Sequence, residues 1–429
     1  MSEPMRILVV GGGGREHALC WRIRHDRPDV RLFAAPGNGG TAELATNVPL
    51  QATDTAGIAA WCDEHRPDLV VIGPDDPLAA GIVDTLGAAG HRTFGPSAAA
   101  ARIEASKAWA ADVCTAAGVP VPESHAFDDP DEAESWVRQR GEVYVVKADG
   151  LALGKGVIVP DTVEGTIEAI DGLGRRKTVG SAGDRLVLQQ RLVGPEASVF
   201  ALCDGSDHLV IGVARDYKRL GDDDAGPNTG GMGAYTPVAD VDAEMLVRIE
   251  RRVISPLLAE MRRFGAPFTG FLYVGLMLTA EGPIVIEFNA RMGDPEAQVV
   301  LPLLGFDLVE AMNAAIDGRV EDIHPAPPQG AATCVVLASG GYPGSYRTGV
   351  PITGVADTGP DTLVFQAGTR RAADDLLTAG GRVLAITGLG STVAEATARA
   401  YAGADHIDFE NAVRREDIAA GEASRSLRA

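Results

Sequence analysis

Two lysines bracket a glycine-rich loop in Val145-Val146-Lys147-Ala148-Asp149-Gly150-Leu151-Ala152-Leu153-Gly154-Lys155-Gly156-Val157. The pattern predicts a strand that delivers Lys147, a flexible loop that carries Lys155, and a second strand. Glycines let a backbone close over phosphate oxygens, and lysines act on them as point charges. The spacing is not that of a P-loop. Only three residues separate Gly150 from Gly154, Gly156 stands where Ser or Thr belongs, and a strand follows instead of a helix. A glycine loop between two strands reads as a flap over nucleotide phosphates. A solvated hairpin with a surface lysine is the alternative, and the lysine at each end argues against it.

A second constellation lies in Ile284-Val285-Ile286-Glu287-Phe288-Asn289. Residues two apart on a strand share a face. The pattern therefore presents Glu287 and Asn289 side by side and turns Ile286 and Phe288 to the core. A carboxylate next to an amide oxygen suits Mg²⁺, which completes its shell with phosphate and water. A strand end opening into a turn is the other reading, but Arg291, Asp294 and Glu296 follow at once. A third stretch runs from Asp216-Tyr217-Lys218-Arg219 into the polar, glycine-rich segment 221–235. Loops of this length in compact domains are functional or disordered.

The fourth is Gly11-Gly12-Gly13-Gly14-Arg15-Glu16-His17, between a predicted strand at 6–10 and a helix at about 15–24. Free N–H groups at such a helix start suit a phosphate. A dinucleotide fingerprint would need a third glycine where Glu16 stands. A tight turn, a phosphate site and a nicotinamide site all remain open on these residues alone.

The elements that must position these groups follow from periodicity. Strands at 69–72 and 93–94, each stopped by Gly-Pro, alternate with helices over the first hundred residues. That alternation predicts a parallel sheet with ligands at the carboxyl ends of its strands. Ser97 can cap one long Ala-rich helix that Gly118 and Pro120 end. Strands at 143–147, 156–159 and 186–190 around a helix near 163–171 form a small α+β unit. Long strands at 197–202, 270–278 and 283–289 belong to a larger one. Ala326-Pro327-Pro328-Gln329-Gly330 reads as a linker. Strands near 332–338 and 382–387 lie beyond it.

Composition narrows the class. The 429 residues are 45% hydrophobic and 23% charged, which fits a globular protein of two to four domains. Lys and Arg number 38 against 59 Asp and Glu, for a net charge of −21, so the basic stripes that nucleic acid requires are not expected. Five cysteines at 20, 62, 114, 203 and 334 form no CxxC pair, which points to reduced thiols and a cytoplasmic setting. No apolar run is long enough to span a membrane. Nothing in the sequence demands more than a monomer.

The ordered set of motifs resembles the phosphoribosylamine–glycine ligases, nearly end to end. The match includes Gly13-Gly14-Arg15-Glu16-His17-Ala18, Ala35-Pro36-Gly37-Asn38, Gly73-Pro74-Asp75, Phe94-Gly95-Pro96, Ser106-Lys107, and 226–235. It continues through 287–296 and Gly340-Gly341-Tyr342-Pro343-Gly344. The resemblance implies a mixed α/β and α+β multidomain protein. An N-terminal parallel-sheet (pre-ATP-grasp) substrate domain would span 1–105 and an ATP-grasp domain 106–325. Within the latter, a nucleotide flap would cover about 121–192 and a central part about 193–325. A small β-rich C-terminal domain would span 330–429.

The resemblance further implies the second step of de novo purine synthesis. Glycine and 5-phosphoribosylamine would be joined with ATP and Mg²⁺ (or Mn²⁺) to give glycinamide ribonucleotide, ADP and phosphate through glycyl phosphate. Lys107, Lys147, Asp149, Gly150, Gly154, Lys155, Gly156, Gln189, Leu192 and Glu196 would hold ATP, with Glu196 on the ribose. Glu287 and Asn289 would bind the metal. Asp216, Arg291 and Asp294 would stand near glycine and the transferring phosphate. Gly13, Gly14, Asn38, Lys218, Asn228, Thr229, Gly230 and Glu296 would contact substrates, the first three meeting the ribose 5-phosphate. Two departures are notable. Gln189-Gln190-Arg191-Leu192 replaces the family's Glu-Glu-Phe-Leu hinge, and Tyr217 replaces a His. An ATP-grasp carboxylase, a nicotinamide dehydrogenase and an inactive ATP-binding protein are the competing readings.

Overall fold

A computed structural model of the chain describes residues 3–152 and 155–426. The predicted flap residue Gly154 lies outside the described residues. The first sheet is parallel throughout, with Arg6–Gly11 at its centre between Arg31–Pro36 and Leu69–Ile72, and Thr46–Asn47 and Thr93–Phe94 at its edges. Ile7, Leu8, Val9 and Val10 are buried, as expected for a strand covered on both faces. The helix Gly14–Asp26 follows the glycine loop directly.

The single long helix expected after Ser97 is two. Ala98–Ala105 is capped by Ser97, and Lys107–Ala117 by Ser106, whose backbone is extended at φ −138° and ψ 109°. The Asp149 carboxylate explains the break. It accepts from Ala108 N at 2.7 Å and from Ser106 Oγ at 3.2 Å, satisfying the new helix start. A helix continuing through Ser106 would have no free N–H to offer there. The consequence is functional, because the break sets Lys107 against the flap.

The flap unit is an antiparallel sheet in the order Ser124–Phe127, Leu186–Gln190, Tyr144–Ala148, Val157–Ile158. Its core joins Ala133 and Val137 of one helix to Ile170 of another across Val146 and Leu188. The first of these strands was not foreseen, since Ser124-His125-Ala126-Phe127 has too few apolar positions to declare a face.

The second large sheet has eight strands. From one edge they run Gly282–Asn289, Thr269–Thr279, Glu196–Asp204, His208–Asp216, Gly233–Thr236, Ala331–Ala338, Arg382–Gly390 and Thr362–Gln366. The β-rich C-terminal part is thus built onto the central sheet. Gly233–Thr236 carries the connection, pairing with Asp216 on one side and with Val335 on the other. Ala331–Ala338 is buried along its whole length. Among the described residues, no single helix is long and apolar enough to cross a membrane.

Candidate active site

All three units open onto one cleft of about 1200 Å³. Its wall includes Lys107, Lys147, Gly156, Gln189, Leu192, Glu196, Asp216, Lys218, Asn228, Thr229, Gly230, Glu287, Asn289, Arg291, Asp294 and Glu296. Gly13 of the N-terminal loop lines it as well, so predicted sites up to 283 residues apart in sequence, Gly13 and Glu296, converge. Asp149, Gly150, Lys155, Gly14 and Asn38 are not part of this wall, although the first two act on it indirectly.

The lysines come first. Lys147 leaves its strand buried and donates to Ile286 O at 2.8 Å. That carbonyl is available because the strand pairing slips at Gly275/Leu276. Gly275 pairs with Glu287 and Leu276 with Val285, which leaves Ile286 unpaired. This bulge corrects the expected alternation. Val285 and Phe288 face the core, whereas Ile286 is half-buried and lines the cleft beside Glu287. Gly275 fits opposite Glu287 because a Cβ there would stand 2.9 Å from Glu287 Cγ.

Burial pushes the Lys147 ammonium down to about 8, with Glu287 opposing that shift. Lys107 is lowered too, again by burial. It donates to Asp149 O at 3.5 Å and Gly150 O at 3.3 Å. Asp149 and Gly150 thus orient this lysine through their carbonyls, while the Asp149 side chain caps the helix that bears it. Lys155 is exposed.

Facing the lysines is a carboxylate cluster. Lys218 Nζ lies 2.9 Å from Glu196 and 3.4 Å from Glu287. Lys218 draws Glu287 down to about 2 against the cost of burial, with Lys147 adding to the pull. Glu287 is therefore ionised at any working pH. Burial raises Asp216 to about 6, opposed by Lys218 and helped by Glu196 and Glu287. Burial likewise raises Glu296, to about 8, with Asp216 adding to it. Assigned from its hydrogen-bonding surroundings, the Asn289 amide directs its nitrogen to Glu104 Oε1 at 2.8 Å and Phe288 O at 3.3 Å, which turns its oxygen the other way.

Arg291 is fixed by Glu104, Nη2 to Oε1 at 2.7 Å, and by Met292 O at 3.2 Å. Asp294 lies at the other end of the cleft. Burial raises its carboxyl, but Arg382, Arg15 and the 2.8 Å bond from Gln298 outweigh that and hold it below the ordinary range. The 228–230 segment bridges both ends. Asn228 Nδ2 donates to Val157 O of the flap at 3.4 Å. Thr229 Oγ1 donates to Lys218 O at 2.9 Å. Gly230 receives Arg382 Nη1 on its carbonyl at 2.8 Å and donates its N–H to Tyr342 Oη at 2.9 Å.

The N-terminal glycine loop behaves differently. Glu16 folds back so that Gly13 N donates to its Oε2 at 2.6 Å, and Arg15 Nε donates to its Oε1 at 2.6 Å. A Cβ on Gly11 or Gly73 would overlap this side chain at 2.4 and 2.3 Å. The glycines accommodate a carboxylate of the chain itself. Asn38 is consumed internally as well. Its Nδ2 donates to Gly12 O at 3.0 Å and Gln366 O at 2.6 Å, and its Oδ1 accepts from Gly40 N and Thr41 N, both at 2.9 Å.

Comparison with known proteins decides the family. Three models match in order: Phosphoribosylglycinamide synthetase N domain over residues 5–104, its ATP-grasp (A) domain over 105–297, and its C domain over 332–421. A phosphoribosylamine–glycine ligase of Rhodopirellula baltica is 44% identical over 422 residues, covering 96% of each chain. The chain belongs to the phosphoribosylamine–glycine ligase family. The crystal structure of such a ligase from Thermotoga maritima superposes with a TM-score of 0.85 at 33% identity, over 96% of this chain and 100% of that one. A biotin carboxylase of Campylobacter jejuni shares the fold at 14% identity, with a TM-score of 0.76 over 99% of this chain and 98% of that one.

Read as a member of this ligase family, the chain has further cleft residues that sequence reasoning missed. Glu104 holds Arg291 and Asn289 together, yet it sits in the last turn of its helix with no local signal. Arg382 joins the 230 and 294 backbones from the strand next to the far edge of the sheet. Tyr342 could have been found, since it lies in the quoted Gly-Gly-Tyr-Pro-Gly motif. Tyr217, the residue at the departure from His, turns its hydroxyl away from the cleft cations and accepts from Ala419 N at 2.9 Å.

Proposed function

We propose that this chain joins glycine to 5-phosphoribosylamine with ATP, giving glycinamide ribonucleotide, ADP and phosphate. The observation that carries the reading is the single cleft on which paired lysines, an ionised Glu287 and the 228–230 segment converge. Enzymes of this fold use ATP with a divalent metal. Lys107 and Lys147 would neutralise the phosphates, which restore charge to ammonium groups that burial has weakened. Gly156 and its neighbours would cover them from the flap, Gln189 and Leu192 would border the adenine, and Glu196 would accept from the ribose hydroxyls.

The donor set fits Mg²⁺ or Mn²⁺. Glu287 is ionised, Asn289 turns an amide oxygen away from Glu104, and no group of three or more His, Cys, Asp or Glu placed to hold a metal ion occurs among the described residues. That is the donor poverty expected of an ion that takes most ligands from phosphate and water. When bound, such an ion neutralises charge on the phosphate oxygens.

A glycine carboxylate oxygen attacks the γ-phosphorus, and the bond to the ADP oxygen breaks. The glycyl phosphate that forms has a leaving group the free carboxylate lacks. The sugar amine then attacks the carbonyl carbon, phosphate departs, and the amine gives up a proton. The protein positions and neutralises, so Arg291, pinned by Glu104, would orient glycine, and Asp294 and Glu296 would line the amine end. Water would destroy glycyl phosphate, which is why a flap belongs here.

The test is ADP release from purified protein with ATP, Mg²⁺ and freshly made phosphoribosylamine, with and without glycine. Strict dependence on glycine, with glycinamide ribonucleotide identified by mass spectrometry, is the expected result. ADP release supported by bicarbonate in place of glycine would move the assignment to a carboxylase.

A further inference from the structure

The segment that carries Asp216, Lys218 and 228–230 into the cleft leaves the main sheet as a ribbon. Arg219–Gly221 pairs with Ala225–Asn228, and the tip between them is exposed. Asp223 and Asp224 at that tip have φ values of 55° and 52°, a region L-residues rarely adopt. Such a tip needs outside support, and one short stretch near the C-terminus supplies it.

Arg415 has only 1% of its side chain exposed, and it sits under the ribbon. Its guanidinium grips Asp417 with two bonds at 2.7 and 2.6 Å, and Nη1 donates to Asp224 Oδ1 at 2.8 Å and Arg219 O at 3.2 Å. Its charge lies 4.6 Å from the centre of the Tyr217 ring. The backbone on either side joins in. Glu416 N donates to Asp222 Oδ1 at 2.8 Å, Asp223 N donates to Asp417 Oδ2 at 3.0 Å, and Ala419 N donates to Tyr217 Oη at 2.9 Å. Each residue from 222 to 224 is therefore engaged, although Asp224 is 72% exposed. Tyr217, Arg219 and Asp224 border the cleft, but none of these groups is among those that would hold the nucleotide.

We propose that Arg415 is a positioning residue for the ligation. With 416–419 it forms a clamp that holds the 216–230 ribbon in its cleft-facing geometry, so that Lys218 and 228–230 are ordered before glycine and the amine arrive. The inference rests on the ligase reading of the cleft. A ribbon without the clamp would have to be ordered on each turnover, which lowers the competent fraction of free enzyme. ATP is held largely by Lys107, Lys147 and the flap, which the clamp does not touch.

The decisive variant is Asp222→Ala/Asp224→Ala, which removes exposed carboxylates from the ribbon and leaves buried Arg415 to Asp417. Arg415→Met and Arg415→Lys complete the set. Each is compared with the unmodified enzyme in kcat/KM for glycine, ATP affinity by calorimetry, thermal midpoint, and tryptic cleavage after Lys218 and Arg219. The expected result is kcat/KM for glycine lower on the order of tenfold in the double variant and in Arg415→Met. Arg415→Lys should recover part of this and the two bonds should be cut faster; in the double variant, which removes only exposed carboxylates, ATP affinity and midpoint should stay near those of the unmodified enzyme. Unchanged glycine kinetics and cleavage in the double variant would overturn the clamp. So would a fall in midpoint that accounts for all parameters together. If the unmodified enzyme shows no glycine-dependent ADP release, the ligase reading fails instead, and cleavage alone still decides whether the ribbon is clamped.

Discussion

Two glycine-rich loops in this chain look alike in sequence and differ in what faces them. Both follow a buried strand, and both invite a phosphate. At 11–14 the loop N–H of Gly13 is taken by Glu16, and the Arg15 N–H lies 3.4 Å from Asp294, so the chain places its own anions at the helix start. At 149–156 the neighbours are two ammonium groups, Lys147 buried and Lys107 half-buried, that donate to carbonyl oxygens and are held below their ordinary pKa by desolvation. An anion would face carboxylates at the first loop and would restore lost solvation to lysines at the second. Glycine gives a backbone room to approach something, and the opposing charge decides what.

Substitution at the second loop should therefore be the most damaging. Lys147→Ala is expected to lower kcat/KM for ATP by about 10²–10³-fold, the range for removing one fixed donor to a developing anionic charge. Glu287→Ala should lower turnover by about 10²-fold through loss of phosphate positioning. Steady-state ADP release measures both. Near-normal rates for Glu287→Ala at saturating Mg²⁺ would remove the metal role from Glu287, and normal ATP kinetics for Lys147→Ala would collapse the contrast between the loops.

Proton dependence sharpens the same contrast. Lys147 titrates at about 8 in the free protein, and only its charged form neutralises phosphate. Bound ATP would raise that pKa, so protonation and nucleotide binding favour each other. kcat/KM for ATP should hold below pH 8 and fall above it, by about tenfold per unit for a single ionisation. Glu287, at about 2, adds no acid limb in the accessible range. A profile flat to pH 10 would mean that Lys147 is not the titrating contact.

What sequence made legible were elements whose information is local. The strands at 69–72 and 186–190 were read to the residue, because the first is a continuous apolar run stopped by Gly-Pro and the second opens on the apolar 186–188 soon after Gly183-Asp184. Lys147, Glu287 and Asn289 were read from spacing along single strands. Ile286 was misread because the bulge depends on its partner strand, where Gly275 leaves space for Glu287. The break at Ser106 was missed for a similar reason: its cause, Asp149, lies 43 residues away. Glu104 and Arg382 act across 187 and 152 residues, and no local pattern marks them. The Glu16 side chain was noticed as a missing glycine, but its meaning, a carboxylate filling its own loop, appears only once the helix is built.

The gentlest test of the comparison in turnover is Asn38→Ala. The resemblance assigns Asn38 to the phosphoribosyl group, whereas the structure spends both ends of its amide on Gly12, Gln366, Gly40 and Thr41. Removing the side chain strands buried backbone groups of the N-terminal loop and of the C-terminal strand that packs on it. Each such group costs about 1–3 kcal/mol, so the denaturation midpoint should fall clearly. KM for phosphoribosylamine at a temperature well below that midpoint should change by less than about threefold, since no substrate contact is lost. The opposite pattern, an unchanged midpoint with a tenfold or larger rise in that KM, would mean that Asn38 faces ligand. The first loop would then be a phosphate site despite its carboxylates, and the rule that opposing charge selects the ligand would not hold for this chain.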